Sequence, residues 1–301
     1  MNHEHETDWF TRVTPIQHHQ IKIGALVFGV RDSEGVDWLI QDVTDWSSTA
    51  VHSESADRPW GDGVWLGRQW TSAKHFEIRL SLVARSYDAA FFEPRVDAIL
   101  KELPIRKTMP MLVSRWTSET ATWVRVEESV KVIPVDRRRW DISIQCVAPE
   151  GLRYAASFDT GNLLWKTYRT HLPESSGGLT IPFRVPFTIR SLVESGEMVF
   201  HVAGTAAPLA QIIIKGPARN PVIRDEKADW QTSFALSLRE NQRLVLDLSR
   251  RTVTLGESAS RRGAMRGVWP SLSPGEHQIS WSSDVYSPDS ELIIKFVEAY
   301  T

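Results

Sequence analysis

Alternation of apolar and polar residues with a period of two recurs along this chain and restricts it to a mainly β fold. Phe76, Ile78, Leu80, Leu82 and Ala84 share one side of a strand, with Glu77, Arg79, Ser81 and Val83 between them. Trp140, Ile142, Ile144 and Cys146 repeat the pattern around Asp141, Ser143 and Gln145. Leu244, Leu246 and Leu248 repeat it again, and Ser249-Arg250-Arg251 then turns the chain into Thr252-Val253-Thr254-Leu255, as in a hairpin. The run from Leu292 to Val297 reads as a terminal strand. A helical period occurs in one clear place. Phe92, Val96, Ile99, Leu100 and Leu103 form one apolar stripe, with Pro94 suited to the first turn and Pro104 closing the segment.

These patterns predict a β domain with one helix packed on it, followed by an all-β half. Between Ala148 and Gly178 the periodicity fades and Pro149, Gly151, Gly161, Pro173 and Ser175-Ser176-Gly177-Gly178 accumulate. The expected organisation is therefore a first domain over 1–150, a linker or crossover over 151–178, and a second domain over 179–301. Lys and Arg number 21 against 23 Asp and Glu in residues 1–170, and 14 against 14 in residues 171–301. Neither half is a basic nucleic-acid module by bulk charge. With Cys146 the sole cysteine, no intrachain disulfide can form, which suits a reducing compartment. The first residues lack the pattern of a secretory signal, and no apolar run approaches the length of a membrane helix, so a soluble protein made in the cytoplasm is expected.

The residues give little support for catalytic chemistry. His3, His5, His18 and His19 cluster near the N-terminus, but no matching ligand spacing recurs downstream, so exposed polar residues are expected there and no metal. Cys146 sits in an alternating strand as a small apolar residue would. Glu127 and Glu128 are neighbours whose side chains diverge on a strand, which disfavours paired acid and base work. No phosphate loop, dinucleotide fingerprint or nucleophile elbow occurs, so neither an enzyme nor a cofactor is expected.

The Trp content is more informative. Ten of the thirteen Trp lie in residues 1–170, and three of them fall within eleven residues around Asp62-Gly63, a hairpin-turn dipeptide. So short a ribbon cannot bury Trp60, Trp65 and Trp70 by itself. They pack on their own domain's sheet or on another subunit, and Arg68 between them suits an interface; a glycan platform is a further use of such rings. Arg137, Arg138 and Arg139 precede the strand that starts at Trp140. They read either as a solvated turn or as partners for carboxylates of a neighbouring subunit. Arg261, Arg262 and Arg266 lie in a Ser/Gly-rich loop and read the same way.

In the second half, Ile214-Lys215-Gly216-Pro217 and Asn220-Pro221-Val222-Ile223 give strand, turn and strand, and Trp269 to Gly275 leads through Pro-Gly into another strand. Short strands with turn signals at such spacing are sandwich architecture.

Taken in order, these pieces resemble the distal tail proteins (Dit) of long-tailed, non-contractile bacteriophages. The series in the second half is Gly177-Gly178 with Ile181-Pro182-Phe183, Lys215-Gly216-Pro217 with Asn220-Pro221, Leu244-Val245-Leu246-Asp247, Thr252-Val253-Thr254-Leu255-Gly256, Trp269-Pro270-Ser271-Leu272-Ser273-Pro274-Gly275 and Ala299-Tyr300. In the first half, Gly35-Val36-Asp37-Trp38-Leu39 with Asp45-Trp46, the Gly-rich hairpin from Asp62 to Arg68, and Cys146-Val147-Ala148-Pro149-Glu150 with Tyr154 are similar too. The resemblance covers roughly residues 24–301.

The resemblance implies an N-terminal tail-tube-like β domain with one helix and a C-terminal galectin-like β-sandwich. It implies a ring, a homohexamer, that joins the tail tube protein to the tail-tip hub protein, with the tape measure protein nearby. DNA only passes through its lumen, and nothing inserts into a membrane. The protein would then work at the tail tip of the virion after assembly in host cytoplasm. The competing class is a carbohydrate or cell-surface binding module, acting through the Trp-rich hairpin or through the second domain, where His201, Asn220 and Trp230 are candidate polar and stacking groups.

Overall fold

The computed structural model describes residues 14–15, 19–44, 46, 51–85, 89–172 and 196–301. The N-terminal histidines up to His18, Asp45, and the 177–183 motifs lie outside the described residues. The chain divides into two compact units, residues 1–163 with Tyr300–Thr301, and residues 164–299. The division falls inside the 151–178 stretch read from the sequence as a linker or crossover. That stretch contains a strand of each unit, Arg153–Ala155 and Lys166–His171. Short strands of mixed polarity carry too few residues to display a period, so composition alone reads them as connection.

The first unit is built on the antiparallel succession Val36–Thr44, Lys74–Ala84, Arg139–Ala148 and Lys131–Pro134. Gln20–Ile23 pairs on one side with Leu26–Phe28 and on the other with Thr108–Ser114, which pairs in turn with Glu119–Val126. Phe76, Ile78, Leu80, Leu82, Ile142, Ile144 and Cys146 all enter one buried cluster, as their alternation predicts. Burial pushes the Cys146 thiol up to about 12, so it stays protonated and inert.

One α-helix, Glu93–Glu102, occurs among the described residues, with a proline in its first turn. It lays Phe92, Val96, Ile99 and Leu103 on the cluster, and Phe92 stacks on Trp140 with ring centroids 5.3 Å apart. Leu100 departs from the expected stripe and is exposed. On the opposite flank of the stripe the inward position belongs to Arg95, which is 1% exposed. Its Nε donates to Asp32 Oδ2 (2.6 Å), its Nη2 to Glu34 Oε2 (3.1 Å) and its Nη1 to Phe91 O. Asp32 also accepts from Trp38 Nε1 (3.1 Å) and from the Val36 amide (3.0 Å), so the buried charges are paired and hydrogen-bonded.

The second unit is a sandwich of antiparallel sheets. One carries Lys166–His171, Glu291–Tyr300, Ala206–Lys215, Arg243–Asp247 and Thr252–Leu255 in that order. The other carries Glu197–Val202, Gly275–Ser282, Val222–Asp225, Trp230–Phe234 and Met265–Gly267. Ile212, Ile214, Leu244, Leu246, Ile294 and Phe296 from the first sheet share a core with Phe200, Ile223, Phe234, Ile279 and Trp281 from the second. The hairpin expected around Ser249-Arg250-Arg251 is present, with Asp247 opposite Thr252.

Candidate functional site

The strands Val36–Thr44 and Lys74–Ala84 pair with each other, and the 29 residues between them hold a ribbon of their own. Val51–Asp57 pairs with Val64–Thr71 as a separate two-stranded sheet. Every residue from Val51 to Trp70 is exposed. Trp60 is 95% exposed, Leu66 82%, Trp65 58% and Trp70 45%. Of the two packing partners open to these rings, their own sheet does not take them. The connection is also wider than a two-residue Asp-Gly turn. It runs from Arg58 to Gly63, closed by the Arg58 amide donating to Gly63 O (3.2 Å), with positive φ at Gly61 and Gly63.

Register decides which side chains act together. Trp70 stands opposite His52 and Trp65 opposite Ala56, while Ser53 pairs with Gln69 and Ser55 with Leu66. Glu54 alone therefore faces two residues, Gly67 and Arg68, which makes a β-bulge. His52 and Ala56 lie on one face of their strand, so Trp65 and Trp70 share that face although five positions separate them. Without the extra residue, an odd spacing would put them on opposite faces. The His52 and Trp70 rings lie 5.1 Å apart and extend this aromatic face, while Val51, Val64 and Leu66 occupy the other. Gly67 is required at the bulge, because a Cβ there would sit 1.5 Å from Glu54 O.

The arginine triplet lies elsewhere. Arg137 and Arg138 are exposed in the turn between Lys131–Pro134 and Arg139–Ala148, where the Arg138 amide donates to Asp136 Oδ1 (2.6 Å). Arg139 is held within its own chain, its Nε and Nη2 donating to the two oxygens of Asp141 at 2.8 and 2.9 Å. Arg139 thus already has a carboxylate partner in its own chain. Arg139 stands opposite Val83, whereas the Trp ribbon leaves the sheet at the Lys74 end of the same strand. Nine residues at the rise of a strand put the two places about 30 Å apart.

Between those ends, the face of the sheet turned away from the core is a ladder of polar pairs. Ser81 and Gln41 meet at Asp141, and Arg79 and Ser143 donate to Glu77. The Arg139 guanidinium, with Ser81 after it, holds the Asp141 carboxyl below the usual carboxylate range; Arg79 and Ser143 do the same for Glu77. Glu127 and Glu128 do diverge, Glu127 lying 2.8 Å from His75 Nδ1 and Glu128 3.3 Å from Lys131 Nζ.

The three glycan candidates are not brought together. Trp230 is 4% exposed and its Nε1 donates to Ser271 O (2.9 Å), so its ring is core and cannot stack on a sugar, a correction to the expectation. Alternation explains it: Trp230, Thr232 and Phe234 all point inward. Asn220 donates to Asp284 Oδ2 (2.7 Å), and exposed His201 lies on a different strand opposite Glu276. Among the described residues no group of three or more His, Cys, Asp or Glu is placed to hold a metal ion.

No family model matches the chain, and no curated protein matches it. Solved structures do. The Dit protein (gp 19.1) of phage SPP1, a paradigm of the hub adsorption apparatus in phages infecting Gram-positive bacteria, superposes with a TM-score of 0.66 at 10% identity, over 95% of this chain and 100% of that one. The chain has the fold of SPP1 Dit. The phage P2 baseplate in its activated conformation with Ca gives a TM-score of 0.37 at 12% identity, over 93% of this chain and 98% of that one. The SPP1 match extends across both units, so the succession of a helix-bearing β unit and a sandwich is common to the two proteins.

Proposed function

We propose that this chain is a structural distal tail protein of a long-tailed phage, which closes into a ring between the tail tube and the tail-tip hub. In this reading the first unit forms the ring around the DNA path. The fold shared with SPP1 Dit over almost the whole chain supports the class of protein. The observation that carries the assembly is the Trp ribbon, which leaves six large apolar side chains, Val51, Trp60, Val64, Trp65, Leu66 and Trp70, in solvent on a two-stranded arm. An isolated hairpin of that kind is marginal in water and gains stability by lying against another surface. A second copy of the chain supplies that surface, with Trp60, Trp65 and Trp70 as anchors and Arg68 at the bulge beside them. The exposed Arg137 is a secondary contact in the same reading.

Negative-stain microscopy of the purified chain at tens of micromolar tests the proposal. Closed rings with six-fold symmetry are expected. A persistent monomer that adds to neither tail tubes nor tail-tip hubs would overturn it.

A further inference from the structure

A second cluster lies at the root of the arm, on the ends of the strands Lys74–Ala84, Thr108–Ser114 and Arg153–Ala155. It gathers Lys74, Arg115 and Arg153 around Trp46, with His19 beside Arg115. The Arg115 and Arg153 guanidinium carbons lie 5.9 and 5.7 Å from the Trp46 ring centroid. Lys74 is 3% exposed and donates from Nζ to Trp46 O (3.1 Å). Arg153 Nη2 donates to Thr301 O. Beyond those two bonds the donors run out of acceptors. Arg115 Nε, Arg153 Nε, His19 Nε2 and Trp46 Nε1 are all buried with no hydrogen-bond partner, and Trp46 itself is only 2% exposed.

Among the described residues no side-chain carboxylate pairs with any of the four basic groups. Their electrostatics show the same deficit. Burial first, then the charges of Arg153 and Arg115, holds the Lys74 ammonium below its ordinary range. Burial and then Arg115 do so for Arg153 and for His19. A desolvated group of like charges with orphaned N–H donors is costly, and native proteins tolerate it where a counter-ion completes it. The polar atoms waiting for a partner are N–H donors, or in His19 a ring nitrogen that can take a proton. The missing component is therefore an acceptor with negative charge and several oxygens.

We propose that His19, Trp46, Lys74, Arg115 and Arg153 form a binding site for one oxyanion, a phosphate or carboxylate group. The guanidinium forks of Arg115 and Arg153 match such a group, and the Lys74 ammonium adds a point charge. The site lies within the first unit alone and stands whether or not the chain forms a ring.

Thermal unfolding of the full chain in inorganic phosphate, with chloride at equal ionic strength as reference and acetate as the carboxylate probe, tests the proposal. Phosphate is expected to raise the Tm by about 2–4 °C over chloride. A response to acetate as well assigns a simple carboxylate site, and a response to phosphate alone a tetrahedral one. Arg115→Met should abolish the response while starting from a Tm no lower than the parent's, because it removes a half-buried cation whose Nε has no hydrogen-bond partner. Arg153→Met replaces it if that variant fails to fold. No rise in the parent chain, or an equal rise in the variant, would overturn the site.

Discussion

Two ribbons that are neighbours in sequence, Lys74–Ala84 in the sheet and Val64–Thr71 in the arm, show opposite uses of the same strand geometry. The first alternates, and Phe76, Ile78, Leu80, Leu82 and Ala84 along its inward face are buried to within a few percent. The second packs Val64, Trp65, Leu66 and Trp70 onto both faces around a bulge and buries none of them. The difference teaches that hydrophobicity alone does not locate a core. A regular alternation commits one face of a strand to its own fold, whereas apolar residues on both faces of a two-stranded ribbon have no partner within it.

The two strands should respond to substitution in opposite ways, and the largest effect is expected in the core. Arg95→Ala should destabilise the first unit by about 3–5 kcal/mol in urea unfolding, because it strands the buried Asp32 carboxylate; Trp38→Ala should cost a similar amount by leaving a cavity. A loss below about 1 kcal/mol in both would mean that this centre does not hold the unit. On the arm the same chemistry should behave in the reverse way. Trp60→Ser, Trp65→Ser and Trp70→Ser combined should leave unfolding free energy within about 0.5 kcal/mol of the parent, yet abolish self-association. A large fall in stability would show that the arm is buried in its own chain.

Gly67→Val separates register from hydrophobicity, since it keeps every Trp and removes only the close approach to Glu54. Association should weaken by at least about tenfold, some 1.4 kcal/mol, measured by sedimentation equilibrium. Unchanged association would mean that the shared face of Trp65 and Trp70 is irrelevant. The smallest effect is electrostatic. Glu77 and Asp141 are held below their ordinary range in the folded chain, so the stability they contribute is complete above about pH 4 to 5 and is lost as the pH falls through their lower folded values. Glu77→Gln with Asp141→Asn should flatten that acid-side slope, and a slope identical to the parent's would exclude the polar ladder as its source.

Much of the fold is legible in the residues because period two is a local signal. Phe76 to Ala84, Trp140 to Cys146, Leu244 to Asp247, Thr252 to Leu255 and Leu292 to Val297 all lie in strands, while Leu248 falls in the turn between two of them. Arg95 was not legible: its long stem takes an apolar position on the helix only because Asp32, 63 residues earlier, waits for its charge. Trp230 misled for a related reason, since a Trp beside Asp229 and Gln231 reads equally as a stacking platform or as the inward member of a strand. The Trp cluster was visible by composition, but its working face was not. A spacing of five becomes same-sided only through the bulge at Gly67, and a bulge is a property of two strands in register. The basic cluster at the arm's root joins residues from His19 to Arg153, and no sequence window holds them together.

Sedimentation velocity of the full chain beside the triple Trp variant, across the micromolar range, tests most directly the claim that an exposed aromatic arm assembles this protein. One discrete large species is expected for the parent, formed with rising concentration, and a folded monomer throughout for the variant. The same species in both samples, or a monomer in both, would contradict it.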